Sequence, residues 1–238
     1  FEDYPEGIFD CEGHNKFGYI GFNNSRPPTD EEIAIVIRFA REFERVYQRF
    51  LDIKKAEAQA REAQIEAALE KVRSRSLGMQ SSNELQEVVQ IVAEKIQELG
   101  VIVDPVGVLI CTYPEGTKDV IHWTYTPADQ ERSKPYFMPY FEHPIWDEAW
   151  ESKNRGDAYF SKTYPKGVKN KFLRTIFSRS DSDYAKLPEE YKQWQLESPI
   201  YHLSYAWAKN SAIVVPNNEG LEPDEEQIRI LIRFARVF

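Results

Sequence analysis

The run Ile37–Arg41, with the sequence IRFAR, recurs near the other end of the chain as Ile232–Arg236. Each run follows an acidic stretch, Thr29–Glu32 in the first copy and Pro223–Glu226 in the second, and an Asn-Asn pair lies farther upstream in both. The two copies align with one extra residue, which we place near Gln227. Such self-similarity indicates one structural unit used twice. Each copy is predicted to contain a strand, a polar turn and a helix with an acidic first turn.

Unequal lengths of chain precede the two copies. About 25 residues precede the helix of the first copy, and well over 100 precede the helix of the second. We therefore expect a fragment of a longer protein that begins inside a domain. The predicted domains are a hairpin remnant at 1–28, a long linker helix at 29–78 and a complete domain at 79–238. The strands of the remnant, around Ile8–Cys11 and Gly18–Phe22, would leave a sheet edge unpaired and should pair with a neighbouring chain.

The segment between Pro28 and Gly78 contains neither proline nor glycine and predicts one helix about 70 Å long at ~1.5 Å per residue. Two apolar stripes on it have coiled-coil spacing. Fifteen residues separate Phe50 from Ile65, one more than two heptads, so the stripes are out of phase. They predict a parallel homodimer, and the alternative is a helix whose ends pack on their own domains. The predicted seam residues are Val36, Ala40, Phe43, Tyr47 and Phe50, then Ile65, Leu69, Val72, Ser76 and Met79.

The remaining sequence predicts one complete domain. An amphipathic helix ends at Gly100, and two strand-like runs flank the turn residues Pro114–Gly116. The order of elements predicts an α+β domain with an antiparallel sheet of about five strands and terminal helices on one face. Its later elements are a short helix at 144–155, a strand at 158–161, two covering helices within 165–197, a hairpin of strands 201–208 and 212–215, and the closing acidic helix.

This order of elements resembles the GAF-type sensor domain, a relative of the PAS fold in which helices cover one side of the sheet and the other side forms a ligand pocket. The linker Arg49–Arg73, RFLDIKKAEAQAREAQIEAALEKVR, is similar to the connector between tandem GAF-like domains in bacterial sensor histidine kinases and related cyclase-type receptors. The resemblance implies a GAF-like fold preceded by a long linker helix, in a cytoplasmic protein of a two-component signal-transduction system.

The sequence carries none of the usual catalytic or nucleotide-binding motifs. GxxxxGK[ST], GxGxxG, HExxH and GxSxG are all missing, as are the phosphoacceptor histidine helix and ATP-binding domain of a histidine kinase. We therefore expect this chain not to be an enzyme, although its parent may be a kinase or cyclase. A net charge of -9 argues against nucleic acid as a partner. No apolar run approaches the roughly 18–20 residues of a membrane span, which with the lack of a signal peptide predicts a cytoplasmic segment.

The aromatic residues predict a ligand pocket. On strand 201–208, Leu203, Tyr205 and Trp207 face one way, and the small residues at 204, 206 and 208 face the helices. An apolar pocket with a few polar groups is a common form of small-ligand site. The alternative is a core filled by these same side chains. The predicted ligand-binding residues are His122, Trp123, Tyr125, Trp146, Trp150, Tyr205 and Trp207.

The sequence makes no cofactor evident. His122 and His202 lie on predicted strands and would form a metal or haem pair if they faced each other, but no third ligand has matching spacing, and ordinary strand histidines are the alternative. Cys111 invites comparison with the bilin-attaching cysteine of phytochrome-type GAF domains but lacks a supporting motif. Cys11 and Cys111 have no CxxC partner, so both are predicted to be reduced, with Cys111 buried.

Two functions from different classes follow. The first is a regulatory sensor module whose small ligand or partner changes a dimeric relay helix. The second is a dimerisation or docking scaffold without a ligand. A cavity of a few hundred Å³ on the sheet favours the sensor, and a filled core favours the scaffold. An undetected hydrolase or transferase would need clustered titratable residues in such a cavity.

Overall fold

The computed structural model describes residues 7–81, 84–103, 107–126 and 130–237. They form two compact units, one up to Ala63 and the other from Gln64 onward. Helix α1, Asp30–Leu77, is continuous through this division, and its 48 residues confirm the predicted uninterrupted helix. Within the described part of the chain, no helix combines the length and apolar character needed to cross a membrane.

The first unit is a hairpin packed on the first half of α1. Strands β1, Phe9–Asn15, and β2, Gly18–Asn24, pair antiparallel. The hairpin approaches the helix closely at Gly13, where a Cβ would lie 2.7 Å from the carbonyl oxygen of Val36. Val36 and Ala40 are buried there. These two residues are therefore covered by their own hairpin, and their assignment to a seam between two helices is wrong.

Both copies of the repeat begin their helices with a capping box. In the first, the Thr29 amide donates to Glu32 Oε2 at 2.8 Å, and the Glu32 amide donates to Thr29 Oγ1 at 3.3 Å. In the second, the Asp224 amide donates to Gln227 Oε1 at 3.1 Å, and the Gln227 amide donates to Asp224 Oδ1 at 2.8 Å. Gln227 is thus the counterpart of Glu32. The extra residue lies in the preceding turn and not near Gln227 as expected.

The described residues of the second unit form six strands: β3, Val108–Thr112; β4, Val120–Tyr125; β5, Pro135–Met138; β6, Tyr159–Pro165; β7, Ile200–Trp207; and β8, Ser211–Asn217. They are antiparallel in the order β5-β4-β3-β8-β7-β6. The prediction of an antiparallel sheet is confirmed, but the sheet has one strand more than the expected five, because β5 is not among the predicted strands. The predicted hairpins β3-β4 and β7-β8 are both present.

Two helices, α2, Leu85–Glu98, and α6, Glu225–Val237, lie on one face of this sheet. The last turns of α1 belong to the same hydrophobic core. Ile65, Leu69 and Val72 of α1 are buried in this core. The second predicted coiled-coil stripe is therefore wrong, because these side chains already pack inside their own domain and leave no apolar surface for another chain.

The opposite face of the sheet is covered by the expected helical insertion. It consists of α3, Pro144–Arg155, α4, Lys166–Ser178, and α5, Glu189–Glu197, with a short 3-10 helix, Asp183–Lys186, before α5. Together with this sheet face they form a second apolar core. The sheet therefore separates two hydrophobic layers, the terminal helices on one side and the insertion on the other.

Candidate functional site

A small cavity lies between the sheet and the helical insertion. Its free volume is about 50 Å³, above the ~10–15 Å³ that one water molecule needs but below the few hundred Å³ expected of a sensor pocket. The core is thus neither fully packed nor wide open. The lining includes His122, Arg132, Trp146, Phe172, Ile176, Tyr184, Tyr191, Gln195 and Tyr205.

Three of the predicted ligand-binding residues, His122, Trp146 and Tyr205, line this cavity. Two others share the same hydrophobic layer but lie outside the lining. Trp207 stacks on Tyr205 with ring centroids 4.9 Å apart and donates from Nε1 to Ser152 Oγ at 3.2 Å. Trp150 packs beside Tyr113 at 5.0 Å. These two tryptophans contribute to the core next to the cavity.

Trp123 and Tyr125 lie on the other face of the sheet, so their placement in the pocket is wrong. The register joins Trp123 through Ile110 and Ile213 to Ala206, which packs against the terminal helices. Trp123 donates from Nε1 to Thr112 Oγ1 at 3.0 Å, and Tyr125 is buried in the helix-side core. Both residues stabilise the layer that includes α1.

Several lining residues escaped prediction because they come from polar segments. Tyr184 is supplied by the short 3-10 helix, Tyr191 and Gln195 by α5, and Arg132 by the turn before β5. The tyrosines at 184 and 191 were the available signal, since large aromatic side chains in a polar stretch usually find an apolar surface to cover.

His122 and Tyr184 form the central polar contact of the cavity. Their Nδ1 and OH atoms lie 2.7 Å apart. Burial lowers the pKa of His122 to about 4 and raises the pKa of Tyr184 well above its ordinary value. Both side chains are therefore neutral at physiological pH, and the cavity presents them as hydrogen-bonding groups without charge.

The low pKa of His122 predicts a loss of stability in acid. Between pH 6.5 and 4, the unfolded chain binds a proton at this residue that the folded protein does not, so stability present above the unfolded pKa is lost as the pH falls. Urea unfolding at pH 7.5 and pH 5 should show a loss from this residue of about 2 kcal/mol. The variant His122→Gln should lose that much less over the same range, and equal losses in both proteins would contradict the assignment.

Trp146 contributes its ring to the cavity lining, and its indole nitrogen is buried. His143 caps α3 by accepting a hydrogen bond from the Ile145 amide at 3.2 Å, and Pro144 occupies the first turn. The cap and the proline fix the start of the helix and thereby the position of Trp146. Trp146 is 4% exposed, and its indole Nε1 is buried without a hydrogen-bond partner among the residues that the structure describes. A buried N–H without an acceptor is costly, and native proteins rarely leave one.

The two strand histidines do not form a ligand pair. His122 faces the cavity, whereas His202 lies toward the terminal helices, with Nδ1 2.8 Å from Thr163 Oγ1 and Nε2 3.0 Å from Ser204 Oγ. The described residues include no group of three or more His, Cys, Asp or Glu side chains arranged to hold a metal ion. Cys111 is free and buried as predicted, and burial raises the pKa of its thiol.

No protein-family model and no curated protein sequence matches this chain. The geometry of the cavity therefore carries the functional argument. Its described lining combines apolar surface with neutral hydroxyl, amide, imidazole and indole groups and one guanidinium, and contains no carboxylate. Such a set of groups is suited to holding a small molecule by packing and hydrogen bonds.

Proposed function

We propose that this chain is the non-catalytic regulatory part of a bacterial signalling protein of the sensor histidine kinase type. A GAF-like domain binds a small molecule in the cavity, and α1 relays the change as a dimeric helix. The observation that carries this proposal is the placement of the cavity and the end of α1 on opposite faces of one sheet. A displacement of the strands on the cavity side is therefore transmitted through the sheet to the helices on the other side.

Strand β7 connects the cavity directly to the helix side of the sheet. Tyr205 lines the cavity, and the next residue, Ala206, is fully buried against the terminal helices. Val72 and Phe234, both 0% exposed, hold α1 and α6 in the same layer. Because packed cores respond to displacement as units, a ligand that moves β7 is expected to shift both helices.

The relay requires two copies of α1 in contact, and its first half offers a surface for this. Phe43, Val46, Phe50 and Ile53 are spaced by three, four and three residues, as in a heptad seam, and each is more than 40% exposed. The seam that we propose thus keeps Phe43 and Phe50 from the sequence prediction. It replaces Tyr47, whose ring packs on Phe17 at 4.8 Å, by Val46 and adds Ile53.

Repeat symmetry limits how far this seam extends toward the start of α1. Phe39 is 63% exposed, but its counterpart in the second copy, Phe234, is fully buried against the sheet and its helices. In the second copy of the repeat, the phenylalanine at this position is therefore part of a domain core and not of a helix–helix seam. For this reason the proposed dimer seam begins at Phe43.

Mass spectrometry of molecules released from the purified chain tests the sensing proposal. We expect a small molecule to be retained by the native protein and lost in the variant Ile176→Phe, which fills the cavity with a larger side chain. The volume-conserving variant Ile176→Leu is the matched control and should retain it. If nothing is retained and no small metabolite raises the melting temperature, sensing in this cavity is refuted.

The small free volume favours a second candidate, the dimerisation scaffold without a ligand. About 50 Å³ is little space for a molecule of drug size. In that case Ile176→Phe would leave the oligomeric state unchanged and no molecule would be found. The retained-molecule measurement therefore separates the two functions.

A further inference from the structure

We propose that the first turns of α1 dock an amphipathic helix of a partner protein, one that resembles the last turns of α1 in sequence. The docking surface consists of Ile35, Arg38 and Phe39, whose spacing of three and four residues places them on one side of the helix. This inference goes beyond the proposed sensing function and does not depend on a ligand in the cavity. It rests on the repeat, because the second copy shows how the corresponding residues are covered.

Ile35 and Phe39 are exposed at positions where the second copy is buried. Ile35 is 43% exposed and Phe39 is 63% exposed, whereas their counterparts in α6, Ile230 and Phe234, are 1% and 0% exposed. The hairpin of the first unit covers only the neighbouring side of α1. The same sequence thus forms a core face in the second unit and a largely exposed apolar face in the first.

The second unit shows which kind of helix packs at this face. Phe234 shares one hydrophobic core with Ile65, Leu69 and Val72, which lie on the last turns of α1. These three aliphatic residues are spaced by four and three positions and form the apolar side of the helix there. The docked helix is therefore expected to present aliphatic side chains with this spacing.

A charged pair defines the partner more narrowly than apolar packing does. In the second unit, the guanidinium of Arg233 forms an ion pair with the carboxylate of Glu66, which places α6 and the end of α1 side by side. Arg38 is the counterpart of Arg233, and it is exposed and has no ion-pair partner among the residues that the structure describes. Because complementary charges select between helices of similar apolar pattern, the docked helix should carry a glutamate next to its first aliphatic residue, as Glu66 follows Ile65.

A synthetic peptide of residues 58–77 tests this proposal on the full chain. Its sequence, AQAREAQIEAALEKVRSRSL, is rich in strong helix formers and contains both the apolar face and Glu66. Fluorescence anisotropy of the labelled peptide measures binding. We expect saturable binding that Phe39→Glu weakens roughly tenfold or more, because docking would bury the new carboxylate in apolar contact. Ile37→Glu is the matched control, since Ile37 is 40% exposed on the opposite side of the same turn, and it should leave binding unchanged.

An exchange of charges between the chain and the peptide tests the ion pair. Arg38→Glu should weaken binding of the peptide by about threefold to tenfold, because a like-charge contact replaces the pair. A peptide carrying Glu66→Arg should restore binding to this variant. Arg41→Glu is the control, because its counterpart Arg236 forms no ion pair within the described part of the chain. It should bind the original peptide as the unaltered chain does.

Three results would overturn the docking proposal. The first is a peptide that does not bind, and the second is binding that Phe39→Glu and Ile37→Glu weaken equally or that the exchanged charges do not restore. The third is dissociation of a dimer of the chain by Phe39→Glu in sedimentation velocity, which would assign the surface to a second copy of α1. None of these results bears on whether the cavity retains a small molecule, so the sensing function is tested separately.

Discussion

Replacing Leu69 by alanine is expected to lower the free energy of unfolding by about 2–5 kcal/mol. Leu69 is 3% exposed in the core formed by the last turns of α1 with α2 and α6. The change removes buried apolar surface and leaves a cavity that neighbouring side chains fill only in part. Urea unfolding followed by circular dichroism measures the loss. Lys71→Ala, on the exposed side of the same turn, is the matched control and should change stability by less than about 0.5 kcal/mol.

The dependence of the stability loss on protein concentration distinguishes burial of Leu69 within its own domain from a coiled-coil seam at Leu69. If the leucine packs inside its own domain, the loss is the same at low and high protein concentration. If it belonged to a dimer seam, the unfolding midpoint of the unaltered chain would rise with concentration and the variant would show the weaker dependence. A loss that varies with concentration in this way would therefore contradict the burial of Leu69 within one domain.

The double variant Val46→Glu and Ile53→Glu is expected to abolish the dimer, raising its dissociation constant by roughly a hundredfold or more. Val46 is 67% exposed and Ile53 is 44% exposed, so neither is needed for the fold of the single chain. Both occupy equivalent heptad positions of the proposed seam, where a dimer would bury the new carboxylates in apolar contact. Sedimentation velocity across a range of protein concentrations measures the shift.

Leu51→Glu is the matched control for the seam. Leu51 lies on the same stretch of α1 with 36% exposure, but its position is off the heptad stripe. The control variant should keep the dimer of the unaltered chain. The seam is wrongly placed if Leu51→Glu dissociates the dimer as well as the double variant does. A chain that is a strict monomer at micromolar concentration would refute the dimeric relay.

Much of the second unit could be predicted from local sequence signals. Turn residues at Pro114–Gly116 and Lys209–Ser211 placed two hairpins, and the lack of proline and glycine placed α1. Strand β5 was missed because it is a four-residue edge strand that begins with a proline. Proline is uncommon in strands and is found mainly at sheet edges, at strand starts and at bulges, so its presence in a short run argues against a strand when only the sequence is read.

The site was harder to predict because alternation within a strand separates its side chains into two sets but does not show which set faces the cavity and which faces the terminal helices. Leu203, Tyr205 and Trp207 were correctly placed together, since they alternate within one strand. Trp123 was placed on the wrong face because its side depends on the pairing register with β3, which no local signal fixes. His122 faces the cavity by the same register, next to Cys111 across the strand pair.

The helix stripes show a similar limit. Apolar spacing identified a buried face at Ile65, Leu69 and Val72, but spacing alone does not tell whether the partner is another chain or the domain's own helices. The tertiary contacts of α2 and α6 decide this. In the first half of α1, the hairpin covers Val36 and Ala40, and the exposed stripe shares Phe43 and Phe50 with the predicted one but has Val46 in place of Tyr47.

Amide hydrogen exchange of α1, compared between the unaltered chain and the cavity-filling variant Ile176→Phe, tests the relay from cavity to helix. We expect altered exchange in residues 65–77 of α1 and in α6, on the face of the sheet opposite the filled cavity. The volume-conserving variant Ile176→Leu is the matched control and should show a much smaller change. If Ile176→Phe changes exchange only in segments that line the cavity, with α1 and α6 unaffected, a relay through the sheet is contradicted.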